Sequence, residues 1–326
     1  MARRGGSRVG RGVAWLLILG AAGAVAYGAW VYLRLPDVTV LTHKNPAATA
    51  FMTLRDLEYR RSSRTPPRRR QAWVPLRAIS PHLVDAVLMA EDSAFYRHDG
   101  VDYRELWESL KLGWREKRLS RGASTITQQL AKNLYLSPDR TADRKLRELL
   151  IARRLESELG KRRILELYLN VAEWGRNIYG AEAASRAYFK VPAKDLTPAQ
   201  SALLAGMLIN PIRYSPLAPE GRLARRQRII LDRMVRYGRL STEEYRLARG
   251  LRPATAETVV AAPIPDAPVD DGLADDERIA PPTAVSAPPP TVLIETPPPQ
   301  LNETPPVEPT PELEPVGVPL AGDGAG

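Results

Sequence analysis

The spacing of hydrophobic positions divides the chain into unlike stretches. Residues 13–33 are 21 consecutive positions without a charge, long enough for one helix to cross a bilayer. Beyond residue 80 the apolar positions recur with the helical period. Ser80 and Pro81 predict a helix start, a capping residue followed by proline at the first helical position. Leu83, Val84, Val87 and Leu88 form that helix's apolar face. Residues 144–159 predict a longer helix, apolar at Leu146, Leu149, Leu150, Ile151, Leu155 and Leu159. Residues 161–171 are apolar nearly all round, which predicts a central helix. Thr197-Pro198-Ala199-Gln200 reads as a capping box opening the apolar run 202–209. No run of four or more residues alternates with period two, so the body is predicted mainly α-helical. Residues 34–70 show no clear periodicity, and no internal repeat is present.

Charge sharpens these divisions. The chain carries 47 Lys+Arg and 37 Asp+Glu, a net +10. Beyond residue 252 there are 13 acids, one base (Arg278) and 18 of the 30 prolines. The first 252 residues therefore hold 46 bases and 24 acids, so the body is +22 and the tail −12. Such a tail has too little apolar surface to offset ordering entropy, so it is expected to be disordered. A spacer is favoured over a docking segment for other proteins. Arg3, Arg4, Arg8 and Arg11 precede the apolar stretch, which predicts a cytoplasmic N-terminus and an external body. A cleaved signal peptide ending at Ala24-Val25-Ala26 is the alternative, but the apolar run continues seven residues past that triplet. The expected organisation is a basic N-terminus over 1–12, a transmembrane anchor over 13–33, a juxtamembrane linker over 34–72, a catalytic domain over 73–252 and the tail over 253–326. The absence of cysteine excludes disulfides and thiolate metal sites, and three histidines (His43, His82, His98) argue against a multi-histidine centre.

Four constellations carry candidate chemistry. In residues 91–100, Glu91 and Asp92 end an apolar helix and run into a turn with Phe95, His98 and Gly100. A carboxylate at the negative end of a helix dipole, if also buried, has a raised pKa suited to proton transfer; otherwise the two are plain exposed acids. In residues 121–133, Thr125 and Gln128 fit a capping box. That small-residue loop leads into a helix N-terminus fit for an anion, with Lys132 on the same face. Arg140, Arg144, Lys145 and Glu148 form a third group, in which Glu148 is a surface pair, a buried ion pair or a working acid. In residues 161–170, Glu166 and Asn170 are expected to satisfy each other or neighbouring backbone.

In this order the blocks resemble glycosyltransferase family 51, the peptidoglycan glycosyltransferases. The matches are E-D-x-x-F-x-x-H-x-G from Glu91, G-x-S-T-I-T-Q-Q-L-x-K-N from Gly122, R-K-x-x-E from Arg144 and I-L-E-x-Y-L-N from Ile164. Ala123 stands where a second glycine is commoner. Residues 171–182 look like the monofunctional biosynthetic branch of Gram-negative bacteria. The resemblance implies a lysozyme-like helical domain with a smaller membrane-associated lobe. It also implies lipid II as substrate, polymerised at the inner (cytoplasmic) membrane from the periplasmic side. Glu91 then matches the general base. Glu148 matches a second carboxylate assisting pyrophosphate departure directly or through a divalent cation, Mg or Mn. Lys132 and Arg140 match pyrophosphate contacts, with Ser124, Gln128, Gln129, Arg144 and Lys145 lining the donor side. Asp92 is expected to orient Glu91 beside substrate, and Phe95 and His98 to shape the turn. The nascent glycan strand and other cell-wall synthesis or division proteins are the implied partners; nucleic acid is not. Two carboxylates also suit glycoside hydrolysis, which the anion site and anchor argue against.

Overall fold

The computed structural model describes residues 7–62, 68–116, 124–139 and 141–251. Arg140, Gly122, Ala123 and the whole predicted tail lie outside the described residues.

The described chain is mainly helical, with one minimal sheet. Helix α1 (Ser7–Leu33) contains the anticipated apolar span, over Gly10–Leu33. Trp15, Leu16, Leu17 and Leu19 are exposed along it, and its length and apolar composition are those of a candidate membrane span. Its last turns dock on the body. Val31 is fully buried, Tyr27 donates a hydrogen bond to Asp143, and Trp30 lies beneath the Arg147 guanidinium at 5.7 Å.

Residues 34–72 are more than the linker expected. A 3-10 turn (Thr39–Thr42) and helix α2 (Ala50–Arg61) pack against the body, burying Val38, Leu41 and Met52 in the common core. Periodicity missed α2 because Met52 is its one fully buried position. Its start was nonetheless encoded: Thr49 accepts the Met52 N–H at 3.1 Å.

The remaining helices form two groups. Helices α3 (Pro81–Glu91) and α10 (Gly221–Arg236) both pack on α9 (Pro198–Met207). Helix α5 (Ile126–Tyr135) lies between α6 (Ala142–Glu158) and α7 (Lys161–Val171), with α2 against it. Helix α4 (Tyr103–Glu116) precedes α5; α8 (Ala181–Tyr188) follows the sheet, and α11 (Thr242–Ala248) closes on α10. The sheet order is β1 (Arg70–Gln71), β3 (Ile178–Tyr179), β2 (Glu173–Gly175). Strands of two or three residues are too short to show alternation in sequence.

The capping box at Thr197 and Gln200 forms as expected. The cap at Ser80 does not: its hydroxyl donates to the Leu196 carbonyl at 2.9 Å, tying α3 to the turn before α9. Helix α7 is central, with Ile164, Leu165, Leu167, Tyr168, Leu169 and Val171 buried. Asn170 and Glu166 satisfy neighbouring backbone. The Asn170 amide accepts from Val74 N–H at 3.0 Å and donates to the Val74 and Glu166 carbonyls at 2.9 and 2.8 Å. Glu166 accepts from Leu76 N–H at 2.9 Å. Gly180, at φ +85°, packs so closely on the Asn170 carbonyl that a Cβ would sit 2.8 Å from its oxygen.

Asn170→Ala is expected to destabilise the protein by about 2–4 kcal/mol, since it strands the partly buried backbone N–H and carbonyl of Val74. Denaturant midpoints measure this; a change within about 0.5 kcal/mol would class Asn170 with ordinary surface positions.

Candidate active site

The two helical groups meet where α3 ends. Glu91 is the last residue of α3 and its side chain is 14% exposed. Two other helices reach its carboxylate, and a third reaches it through Gln129. From α5, the Gln129 amide donates to Oε2 at 2.9 Å. From α10, Arg226 approaches Oε1 at 3.4 Å while its Nε donates to the Gly206 carbonyl at 3.1 Å. From α7, the Tyr168 hydroxyl donates to the Gln129 oxygen at 3.0 Å. Lys132, also on α5, contributes its field. Burial is the largest effect and raises the Glu91 pKa. Arg226, the Gln129 hydrogen bond and Lys132 oppose it, and Asp92 adds a smaller upward push. The net direction is upward, which makes Glu91 a stronger base than an exposed glutamate.

Asp92 does not contact Glu91 in the way expected. Its carboxylate is 3% exposed and faces away, accepting from His98 Nε2 at 3.0 and 3.1 Å and from the Ile126 N–H at 3.0 Å. Asp92 is the C-cap of α3 at φ −165° and ψ 79°, so the chain has left the helix there and its side chain departs from the course of Glu91. Asp92 closes the N-terminus of α5. Thr125 takes the Gln128 N–H there at 3.2 Å, and its hydroxyl donates to the Gly100 carbonyl at 2.7 Å. Only half of the anticipated capping box forms, because the Gln128 side chain turns to Lys145 instead. The helix end is thus occupied by a protein carboxylate, which displaces the expectation of an anion seated on it. Phe95 is buried below the Lys161 ammonium at 4.5 Å, and Gly100 turns the chain at φ +87°.

The second cluster sits on α5 and α6. Glu148 is 3% exposed and both its oxygens are taken, one by Arg144 and one by Lys145, each at 2.5 Å. The Lys145 ammonium also reaches Ser124 Oγ at 3.3 Å and Gln128 Oε1 at 3.2 Å. Of the three readings left open for Glu148, the geometry is that of a buried ion pair. Gln128 is itself 2% exposed and holds Lys145 from behind, and Gln129 is spent on Glu91 and Tyr168. Lys132 stands between the clusters. Burial lowers its pKa, Glu148 and Glu91 raise it, and Arg144 and Lys145 lower it again. Among the described residues no group of three or more His, Asp or Glu is placed to hold a metal ion. A divalent cation on Glu148 would have to displace a guanidinium and an ammonium, so these residues do not fit a resident ion there.

Two participants escaped the sequence reading. Arg226 lies in a run of arginines, where charge density hides which one turns inward. Its phase was the usable signal: it falls three residues after Leu223 and four before Ile230, both buried. Tyr168 was part of a recognised motif but was given no task.

A family model described as Transglycosylase matches residues 59–235. A biosynthetic peptidoglycan transglycosylase of Aromatoleum aromaticum is 46% identical over 226 residues, covering 69% of this chain and 96% of the relative. One of Azoarcus sp. strain BH72 is 49% identical over 173 residues, covering 53% of this chain and 74% of the relative. The crystal structure of penicillin-binding protein 1A from Haemophilus influenzae overlaps 55% of this chain and 17% of its own at 23% identity, with a TM-score of 0.32.

The two acidic sites should respond oppositely to neutralisation. Glu148→Gln leaves Arg144 and Lys145 facing a neutral amide and is expected to cost about 3–5 kcal/mol of stability. Glu91→Gln removes a carboxylate that burial already disfavours, and its stability is expected to stay within about 1 kcal/mol of the parent. Urea denaturation of both variants tests the pair; equal losses would contradict the difference in environment.

Proposed function

This chain belongs to the transglycosylase family, and on that premise we propose that it polymerises lipid II into glycan strands by inverting glycosyl transfer. The growing glycan on its lipid pyrophosphate is the donor. The 4-hydroxyl of an incoming lipid II is the acceptor. Glu91 removes the hydroxyl proton as the oxygen attacks the anomeric carbon. A new C–O bond forms on one face while the bond to pyrophosphate breaks on the other, and undecaprenyl pyrophosphate leaves.

The observation that carries this reading is the pairing of a desolvated carboxylate with a separate cationic cluster across one seam. Burial keeps Glu91 basic enough to take a proton, while Gln129, Arg226 and Lys132 hold enough of it ionised to act. Lys132, Arg144 and Lys145 offer positive charge where the pyrophosphate departs. Glu148 serves that site by fixing Arg144 and Lys145. Arg140 keeps the pyrophosphate role that the family resemblance gives it. Hydrolysis by two free carboxylates fits less well, because both oxygens of Glu148 are already paired.

The anchor suits this substrate. Helix α1 docks on α6, the helix bearing Arg144 and Lys145, so the cationic cluster is tied to the membrane-spanning segment. A lipid-linked pyrophosphate lies at that level. Orientation follows from the basic N-terminus: cytoplasmic start, periplasmic catalytic domain, single pass through the inner membrane.

Incubating purified protein with labelled lipid II tests the proposal, with glycan polymer as the expected product. Glu91→Gln is expected to lower the polymerisation rate about 10²–10⁴-fold. Lys132→Ala is expected to lower it about 10²–10³-fold with its melting temperature little changed. Near-parental rates in the first variant would sink the base assignment. A rate falling only in proportion to folded protein in the second would make Lys132 structural. In the parent, the acid limb of the rate profile is expected above the ordinary glutamate range, activity being lost as pH falls through the raised Glu91 pKa. A limb at or below that range would contradict it.

A further inference from the structure

Tyr168 is 1% exposed, on the buried helix α7, and among the described residues its hydroxyl has one hydrogen-bond partner, the Gln129 oxygen at 3.0 Å. The other end of the same amide meets Glu91 at 2.9 Å. A carboxamide has two unlike ends, an acceptor oxygen and a donor NH₂ group, and can face either way. An ionised Glu91 tolerates only the donor. A protonated Glu91 accepts either arrangement, because its O–H can donate to an amide oxygen.

Tyr168 removes that freedom. A buried phenol must place its single proton on an acceptor, since leaving a buried donor unmade is costly. The Gln129 oxygen is that acceptor. If the amide turned over, its NH₂ would face the phenol oxygen and the phenol proton would lose its partner. Resting on the assignment of Glu91 as base, we infer that Tyr168 is a positioning residue, whose hydroxyl keeps the Gln129 amide turned with its donor end toward Glu91 in both protonation states. The consequence is directional. A fixed donor stabilises the ionised carboxylate more than the protonated one, whose carbonyl oxygen is the weaker acceptor. The base thus returns to its ionised form after each transfer, despite its burial.

The other charged groups facing Glu91 do not depend on Tyr168. Arg226 comes from α10, Lys132 from α5 beside Gln129, and Asp92 from the end of α3. Tyr168 itself stays a neutral donor throughout the working range, because burial, with Glu91 and Asp92 adding to it, pushes its pKa well above that of a free phenol. Among these groups, the amide is the one whose effect on Glu91 can reverse sign.

Tyr168→Phe removes the hydroxyl and keeps the ring. Its rate profile on lipid II should show the acid limb moved upward by about one unit, a loss of about tenfold at pH values below both midpoints. Above both midpoints the rate should approach that of the parent. Gln129→Met, which deletes the amide, should move the limb in the same direction, and adding Tyr168→Phe to it should move it no further. Thermal melting of all three variants separates folding from chemistry. An unmoved limb with the rate lowered equally at every pH would reduce Tyr168 to packing, as would additive shifts in the double variant. Failure of the base reading itself looks different: Glu91→Gln would then polymerise at the parental rate whatever Tyr168→Phe does.

Discussion

Taking one carboxylate out of water at the end of a helix is the constraint around which this site is built. Left alone, a buried Glu91 would remain protonated and could accept nothing. Made fully exposed, it would be ionised but a weaker base than the proposed role asks for. The fold holds it between these limits by bringing three elements to it. Helix α5 supplies Gln129 and Lys132, α10 supplies Arg226, and α7 supplies Tyr168 behind the amide. Those helices belong to two packed groups, so the poise of Glu91 depends on the seam between them staying closed.

Asp92 is what fastens that seam locally. Its buried carboxylate holds the first N–H of α5 and the His98 ring, fixing the end of α3 against the start of α5. Adjacent carboxylates thus divide the labour: one is structural and well paired, the other is lightly paired, as the proposed base requires. Glu148 repeats the structural theme on α6, where it holds a guanidinium and an ammonium side by side. Two like charges placed so close would repel without it. Its buried position makes it an organiser of the cationic cluster more than a reacting group.

Much of this was legible in the sequence where a local pattern sufficed. The start of α3, the whole of α7 and the capping box before α9 follow from period, proline and capping residues. The pairing of Glu166 and Asn170 with backbone followed from polar residues in an otherwise buried helix. What was not legible depends on contacts distant in sequence. Arg226 lies 135 positions from Glu91, and no local pattern announces that contact. The direction of Asp92 depends on where α5 begins, which its own neighbours do not specify. Helix α2 carries no hydrophobic stripe: Met52 is its one buried residue, with Phe51 packed beside it at the edge of the core.

The central claim concerns the protonation of one group, and a direct titration addresses it without the rate. Infrared difference spectra between the parent and Glu91→Gln, recorded across pH, isolate the Glu91 carboxyl band. The Glu91 midpoint is expected clearly above the ordinary glutamate value of about 4.3, as burial outweighs Arg226, Gln129 and Lys132. A midpoint at or below that value would mean the paired cation and amide dominate, and Glu91 would be a structural ion pair rather than a poised base.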